Sequence, residues 1–376
     1  MKNKIPVMAI ISDDIRRDLH SPLELFKKIK VVHFYRKARY SDMKKSEFAN
    51  TQKYGSYLDL FKKLKKLKPD IIQGPEPYGS RASFFNSQTV YFYSKLYRIP
   101  FVFPMFENRP AKVKFGLILG TFMMWYLKIY TNAAAIVINL NNGARHNLLE
   151  VGTPLDKIKR LNWGTWGVDS KEFNVKTPLR GGRQMSNVKN KIILFVGKVE
   201  EQKGILDLLE AFRIARKKFK NIQLQVIGSG SLVDKIKSEP GVKYLGIIKN
   251  QDISKYFQMA YITVTPSITT KIWEEQVGLV NIQSMACGTP VISTKSGAIA
   301  EYMPDKIAGL LVPEHNPKKL SEAIEKLLNN QKLRDKLGRQ AHQYVLDHYE
   351  IRNNIRKAEE LVLEILQNDK QPHKNN

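Results

Sequence analysis

The sequence predicts an α/β chain of two Rossmann-like, doubly wound domains facing each other across an interdomain cleft. Three observations carry this. Short apolar runs bounded by turn residues alternate with amphipathic segments, the pattern of a parallel sheet covered on both faces. The alternation breaks over 171–190, where Pro178, Gly181, Gly182, Asn187 and several basic residues show no period. A length of 376 residues is long for one core and ample for two. Sheets of this kind bind ligands beyond the carboxyl ends of their strands, so the site is expected between the domains.

In the first domain, 1–172, strands are expected at 7–11, 31–35, 70–73, 101–104 and 135–139. The start MKNKIPVMAIISDD has a basic end and a short apolar run that meets Asp13 and Asp14 without a small-residue cleavage site, so it reads as the first strand. FKKLKKLKPDII marks a helix-to-strand join. Phe61, Leu64 and Leu67 fall at helical spacing, five lysines face outward, and Pro69 ends the helix. The lysine run reads as a solvated face, with membrane binding as the alternative. The stretch 115–127, FGLILGTFMMWYL, falls short of the roughly 20 apolar residues that span a bilayer. It reads first as a buried core helix. The alternative is an interfacial helix, because Lys112, Lys114 and Lys128 flank it and Trp125 and Tyr126 suit a headgroup zone.

A linker is placed over 173–190. In the second domain, 191–350, strands are expected at 192–196, 223–227, 242–245, 261–265, 290–293 and 310–312. A helix over 351–367 is expected to pack back across the domain junction, and 368–376 reads as a disordered tail.

Lys and Arg outnumber Asp and Glu by 62 to 35, a net charge of +27, which favours anionic partners: nucleotide, nucleic acid or an anionic membrane surface. A lysine-rich source genome would give the same excess. A specific nucleic-acid role is disfavoured, because there is no zinc-ligand spacing or aromatic RNA-binding motif and the basic residues are spread over many helices. The single cysteine, Cys287, excludes a disulfide framework and a thiolate metal site. A reducing, cytoplasmic location is expected, with peripheral attachment to the inner face of a membrane as its variant.

The chemistry concentrates in WEEQVGLVNIQSMACGTP, 273–290. Gly278 permits a tight turn, and Leu279, Val280, Ile282, Met285 and Ala286 recur in helical rhythm until Gly288 and Pro290. The unpaired amides at the mouth of such a helix suit phosphate. Glu274 and Glu275 would repel an anion there unless one of them is aimed at neutral hydroxyls. A sugar nucleotide has both ends. Upstream, GKVEEQKGILDLLEAF places Gly197, Lys198 and Lys203 on a strand-to-helix loop, a candidate diphosphate clamp. VIGSGSL places Gly228, Ser229 and Gly230 where a base or ribose can approach the backbone. His33 reads as a satisfied core or edge histidine. Asp13 and Asp14 are adjacent, not spaced as a metal-binding pair, and no metal is expected.

From 192 to about 328 the blocks FVGKVEEQKGILDLLEAF, LQVIGSGSL, VKYLGIIKNQDISKYFQMAYITVTPS, 273–290 and VISTKSGAIAEYMPDKIAGLLVP, in that order, resemble the retaining glycosyltransferases of family 4 (glycosyl transferase group 1), which have the GT-B fold. The first half matches more thinly, through KPDIIQGPEP and AAAIVINLNNGARHNLLEVGTPLDKIKRLNWGTWGVDSKEF, with Gly167, Val168, Asp169 and Phe173 near the end of the first domain. The resemblance implies transfer of a sugar from a nucleotide-diphosphate sugar to a hydroxyl of a glycan or lipid-linked saccharide, with retained anomeric configuration. It implies no cofactor, since the sugar nucleotide is a substrate. Lys198 and Lys203 would hold the donor diphosphate and Glu275 would stand near the transferred sugar. Gly197, Gly228, Ser229, Gly278 and Leu279 would line the donor. Gln283, eight positions after Glu275, stands where the family has a ribose-binding glutamate.

In the first domain ISDDIRRDLHSP replaces a glycine-rich loop, and MFENRP stands where a histidine often follows the strand. Asp13, Asp14, Glu107, Asn108 and Arg109 are the acceptor-side candidates, with plain surface loops as the alternative for the last three. A catalytically impaired sugar-binding or scaffold protein of the same fold is the alternative function, supported by Gln283.

Overall fold

The apolar runs become the strands of two separate parallel sheets. The computed structural model describes residues 4–38, 48–175 and 191–370, and divides into two units, Met1–Trp166 with Ile351–Asn376, and Gly167–Glu350. Most of the expected linker, 176–190, and the tail from 371 lie outside the described residues.

The sheet of the first unit contains β1 (Val7–Asp14), β2 (Lys30–Lys37), β3 (Thr51–Lys53), β4 (Ile71–Gln73), β5 (Phe101–Met105), β6 (Ile136–Asn139) and β7 (Ile158–Arg160). Its order is β3-β2-β1-β4-β5-β6-β7, parallel throughout. Successive side chains of a strand point to opposite faces, and both faces are buried here. Ala9, Ile11, Phe101 and Phe103 enter one apolar cluster, while Met8, Ile10 and Val102 enter another. The sequence reading missed β3 and β7. Each is a three-residue edge strand with two exposed residues, too short and too polar to show a period.

The helices of this unit are α1 (Arg17–His20), α2 (Tyr57–Leu67), α3 (Arg81–Tyr97), α4 (Ala111–Phe115), α5 (Leu117–Ala133) and α6 (Asn142–Glu150). For α2, the Asp59 N–H donates to Ser56 Oγ at 3.1 Å, Leu60 and Leu64 are buried, and Lys68 ends the helix at φ 51°. The expectation of a buried core helix over 115–127 requires correction. Met123, Tyr126, Leu127 and Tyr130 of α5 face the core, but Leu117, Ile118, Leu119, Phe122 and Trp125 are exposed. A segment that is apolar all round carries no period to show which side is covered.

The second unit contains β8 (Lys191–Val196), β9 (Ile222–Ile227), β10 (Val242–Gly246), β11 (Ile262–Thr265), β12 (Val291–Thr294) and β13 (Gly309–Val312), in the parallel order β10-β9-β8-β11-β12-β13. Its helices are α7 (Ile205–Lys218), α8 (Val233–Lys237), α9 (Asn250–Met259), α10 (Leu279–Ala286), α11 (Ile299–Tyr302), α12 (Pro317–Asn329) and α13 (Gln331–His348). Leu208 and Phe212 of α7 pack with Ile324 and Leu327 of α12 over Ile193, Phe195, Leu224 and Val226. Read by position, this is the 3-2-1-4-5-6 order of dinucleotide-binding sheets, and it reverses between β8 and β11. The last helix, α14 (Ile351–Lys370), belongs to the first unit, where Ile355, Leu361 and Val362 join the cluster of Met8, Ile10 and Val102.

Candidate functional site

Where the order of a doubly wound sheet reverses, the loops leaving the two central strands diverge and open a crevice beyond their carboxyl ends. In the second unit these are the loops after β8 and β11, and they carry the lysines and Glu275. The loop after β8 is fixed by backbone contacts. The Val199 N–H donates to Ser229 O at 2.9 Å and the Leu232 N–H to Val199 O at 3.1 Å. A Cβ on Gly228 would lie 1.8 Å from Gly197 O, and one on Gly230 would lie 2.2 Å from Val199 O. Glycine is therefore required by the closeness of two main chains, a stronger reason than ligand access alone. Glu200 closes the contact by accepting from the Ser231 N–H at 2.9 Å and from its hydroxyl at 2.6 Å, and these bonds hold its carboxyl below the usual range.

Lys203 precedes Gly204, whose φ of 67° starts α7; a Cβ there would lie 1.8 Å from Pro266 O. This approach ties the β8 loop to the β11 loop, and the Ile268 N–H adds a bond to Gln202 O at 2.9 Å. Lys203 Nζ then reaches Glu275 Oε2 at 2.7 Å and lies 4.5 Å from the centre of the Trp273 ring. Ser267 Oγ donates to the same carboxylate oxygen at 2.9 Å. The Ala298 N–H fixes the main chain of Glu275 from the other side, at 2.8 Å. Cation, carboxylate and indole thus form one cluster, with the Lys203 and Glu275 side chains 23% and 17% exposed. The sequence reading gave the lysine to phosphate and the glutamate to hydroxyls as separate elements, and did not foresee their ion pair. Lys198 is exposed on the same loop.

Gly278, at φ 72°, begins α10 without a side-chain cap. Behind it Thr265 Oγ1 donates to Asn281 Oδ1 at 2.5 Å. Leu279 is half-buried; Gln283 is buried, and its side-chain amide has no hydrogen-bond partner among the described residues. Sequence reading also missed Glu314, which accepts from the Thr269 N–H at 2.5 Å and from its hydroxyl at 3.0 Å. Its signal was an acid just beyond the last strand, in VPEHNP.

In the first unit Asp13 and Asp14 end β1, and Asp13 lies 3.8 Å from Lys37 Nζ. Glu107, Asn108 and Arg109 follow β5 in a loop that is polar yet mostly buried, with Glu107 3% and Asn108 7% exposed. Glu107 pairs with the Lys114 ammonium and accepts the Arg109 N–H at 3.0 Å. Asn147 Nδ2 donates to the carbonyls of Glu107 and Arg109 at 2.8 and 3.2 Å. Glu76, unremarked in the sequence beyond its place in KPDIIQGPEP, accepts the Glu107 N–H at 2.9 Å and the Phe106 N–H at 3.3 Å. Burial pushes its carboxyl up to about 8, reinforced by the charge of Glu107. His33 is satisfied in the core, with Nδ1 3.0 Å from His20 Nδ1 and Nε2 2.8 Å from Ser12 Oγ; burial lowers it to about 3, with the charge of His20 acting the same way. Among the described residues no group of three or more His, Cys, Asp or Glu gathers as metal ligands would.

Residues 182–344 match the family model described as Glycosyl transferases group 1. The D-inositol 3-phosphate glycosyltransferase of Paenarthrobacter aurescens is 29% identical over 229 residues, which cover 57% of this chain and 53% of the relative. The phosphatidyl-myo-inositol mannosyltransferase of Mycobacterium leprae is 29% identical over 152 residues, 39% of each chain. The chain spans about half the length of the curated relatives it matches. Among solved structures, Anabaena Alr3699/HepE in complex with UDP and glucose superposes with a TM-score of 0.74 at 14% identity, over 96% of this chain and all of the other. A glycosyltransferase from Rickettsia africae gives 0.74 at 18%, over 97% of this chain and 100% of the other. At such identities the likeness is one of fold, and that fold is GT-B.

Proposed function

We propose that this chain, whose residues 182–344 match the model of the glycosyl transferases group 1, is a member of that family and transfers a sugar from a nucleotide-diphosphate sugar to an acceptor hydroxyl with retention of anomeric configuration. The observation that carries the reading is the cluster of Lys203, Glu275 and Trp273 at the strand-order reversal. Breaking the bond between the anomeric carbon and the phosphate oxygen leaves negative charge on the diphosphate. Lys203 and Lys198 supply fixed positive charge to meet it, and the uncapped start of α10 at Gly278 and Leu279 adds amide dipoles. Glu275, positioned by Ser267, Lys203 and the Ala298 amide, accepts hydrogen bonds from sugar hydroxyls. The acceptor oxygen bonds to the anomeric carbon on the face the phosphate leaves, and the departing phosphate oxygen takes the acceptor proton. Gly197, Gly228 and Ser229 border the nucleotide, and Gln283 offers its amide to the ribose.

The acceptor is a glycan or lipid-linked saccharide, approached from Asp13, Asp14 and the polar loop at Glu107–Arg109. Transfer proceeds without a metal, so a chelator leaves turnover unchanged. Thermal-shift screening against UDP-, GDP- and ADP-sugars tests donor binding, because a ligand of the folded state raises the midpoint. UDP-sugars come first, since the Anabaena structure holds UDP. The buried glutamine at 283 favours one second reading, a donor-binding protein without turnover. Stabilisation by a donor with neither hydrolysis nor transfer over an acceptor panel would establish that reading instead.

A further inference from the structure

We propose that the first unit docks on an anionic lipid bilayer through the exposed apolar edge formed by the start of α5 and the adjoining face of α3. Leu117, Ile118 and Leu119 are 72%, 89% and 51% exposed, and Phe122 and Trp125 are 44% and 58% exposed. Single exposed apolar residues are ordinary on a soluble protein; a contiguous group is not. This group is continuous. Ring centres step from Trp125 to Phe122 at 5.8 Å, to Phe84 at 6.2 Å, to Phe85 at 5.5 Å and to Tyr57 at 5.3 Å.

Helix α5 is built to lie in an interface and not to cross it. Its core side, Met123, Tyr126, Leu127 and Tyr130, is covered by protein, and among the described residues no helix is long and apolar enough to span a membrane. Its exposed residues read Leu117, Ile118, Leu119, Thr121, Phe122 and Trp125, then Lys128 and Asn132, so mainly apolar groups occupy the first turns and polar ones follow. That is the distribution of a shallowly inserted helix end with an aromatic and a lysine at headgroup level.

Charge selects the occupant. Between Glu76 and Glu150 the only acidic residue is Glu107, and it is buried against Lys114. Arg81, Lys112 and Lys128 are exposed on the bordering segments. A face of this sign repels a second copy of a chain of net charge +27 and attracts acidic headgroups. The rings of Phe85, Phe122 and Trp125 would suit a base, but the most exposed members of the group, Leu117 and Ile118 at 72% and 89%, are aliphatic, which favours lipid over nucleic acid. The surface uses none of the donor-side residues, so it stands or falls apart from the transfer reading.

The test is co-sedimentation of the full chain with vesicles of phosphatidylcholine alone or mixed with phosphatidylglycerol, at low and high salt. Binding is expected only to the mixed vesicles, weakened by salt, with a blue shift of tryptophan emission. The double variant Ile118→Ser/Trp125→Ser and the charge variant Lys112→Glu/Lys128→Glu should each lower partitioning by about tenfold or more, with thermal midpoint and donor-induced shift unchanged. The single variant Ile118→Ser, at the most exposed apolar position, guards against misfolding of the double one. Absence of vesicle binding, or undiminished binding of the apolar variants, overturns the proposal. So does a self-association of the wild type that Ile118→Ser abolishes, or binding to an oligonucleotide with none to the mixed vesicles.

Discussion

Lys203 has two neighbours with different demands: the Glu275 carboxylate, which fixes it, and the Trp273 ring, which covers one side of it. A cation held this way needs little reorganisation to meet charge on a leaving diphosphate. Lys203→Ala is therefore expected to lower kcat by about 100-fold, with a smaller rise in KM, the cost typical of losing one fixed electrostatic partner. Steady-state kinetics with the donor identified by thermal shift checks this, and unchanged turnover removes the clamp. Gln283→Glu probes the other end of the donor. The new carboxylate would lie in a buried position with no side-chain partner among the described residues, so the ligand-free midpoint should fall. With donor present, a carboxylate accepts ribose hydroxyls more strongly than an amide does. The variant should keep or raise transferase activity and show a larger donor-induced thermal shift than the wild type; a variant dead with every donor refutes a ribose role.

At the scale of elements, the turns do more than connect strands. Gly204 lets the end of the β8 loop touch the start of the β11 loop, and that contact places Lys203 beside Glu275. Gly204→Ala meets both a left-handed φ and a carbonyl oxygen at 1.8 Å, so it should cost roughly 3 kcal/mol or more and scatter the cluster. Chemical denaturation should show the loss, and a neutral result would mean the loops separate readily. Apolar runs and glycines at strand ends made the sheets legible, and the two lysines and Glu275 were legible because charge beside such turns has few structural uses. Neither the Lys203–Glu275 pair nor the Glu76–Glu107 contact could be read. Each joins residues from different strands' loops, 72 and 31 positions apart, and no local pattern reports which loops touch. The exposed side of α5 was illegible for the opposite reason, since 115–127 is apolar in every direction and only packing tells its two sides apart.

At the scale of the molecule, the strongly shifted buried groups set a pH window for the first unit. His33 titrates near 3 when folded and near 6.5 when unfolded, so its contribution is complete above 6.5 and is lost as pH falls towards 3. Glu76 runs the other way. Its carboxyl holds a proton up to about 8 when folded but only to about 4.5 when unfolded, so stability declines as pH rises between those values. Each effect is on the order of a few kcal/mol. In calorimetry across pH, Glu76→Gln should flatten the alkaline decline of the first unit's transition while leaving the acid decline in place. An unchanged alkaline slope would show that the native carboxyl is already ionised.

The order of units along the chain has a further consequence, because the first unit is completed by the last helix. Ile355, Ala358, Leu361, Val362, Ile365 and Leu366 of α14 are buried in the cluster under β1, β4 and β5, and the buried Glu359 accepts the N–H groups of Lys27 and Lys28 at 2.8 and 2.5 Å. Exposing six such side chains costs on the order of 10 kcal/mol, comparable with the whole stability of a domain. A chain ending at Glu350 should therefore lose the first unit's cooperative transition. The sheet of the second unit and its main apolar cluster are built from residues within Gly167–Glu350. Residues 167–350 alone should then keep a cooperative melt and the sugar-nucleotide shift, since the proposed donor residues all lie within them. A fragment that melts without cooperativity, or a truncated chain that retains both transitions, would contradict this division of labour.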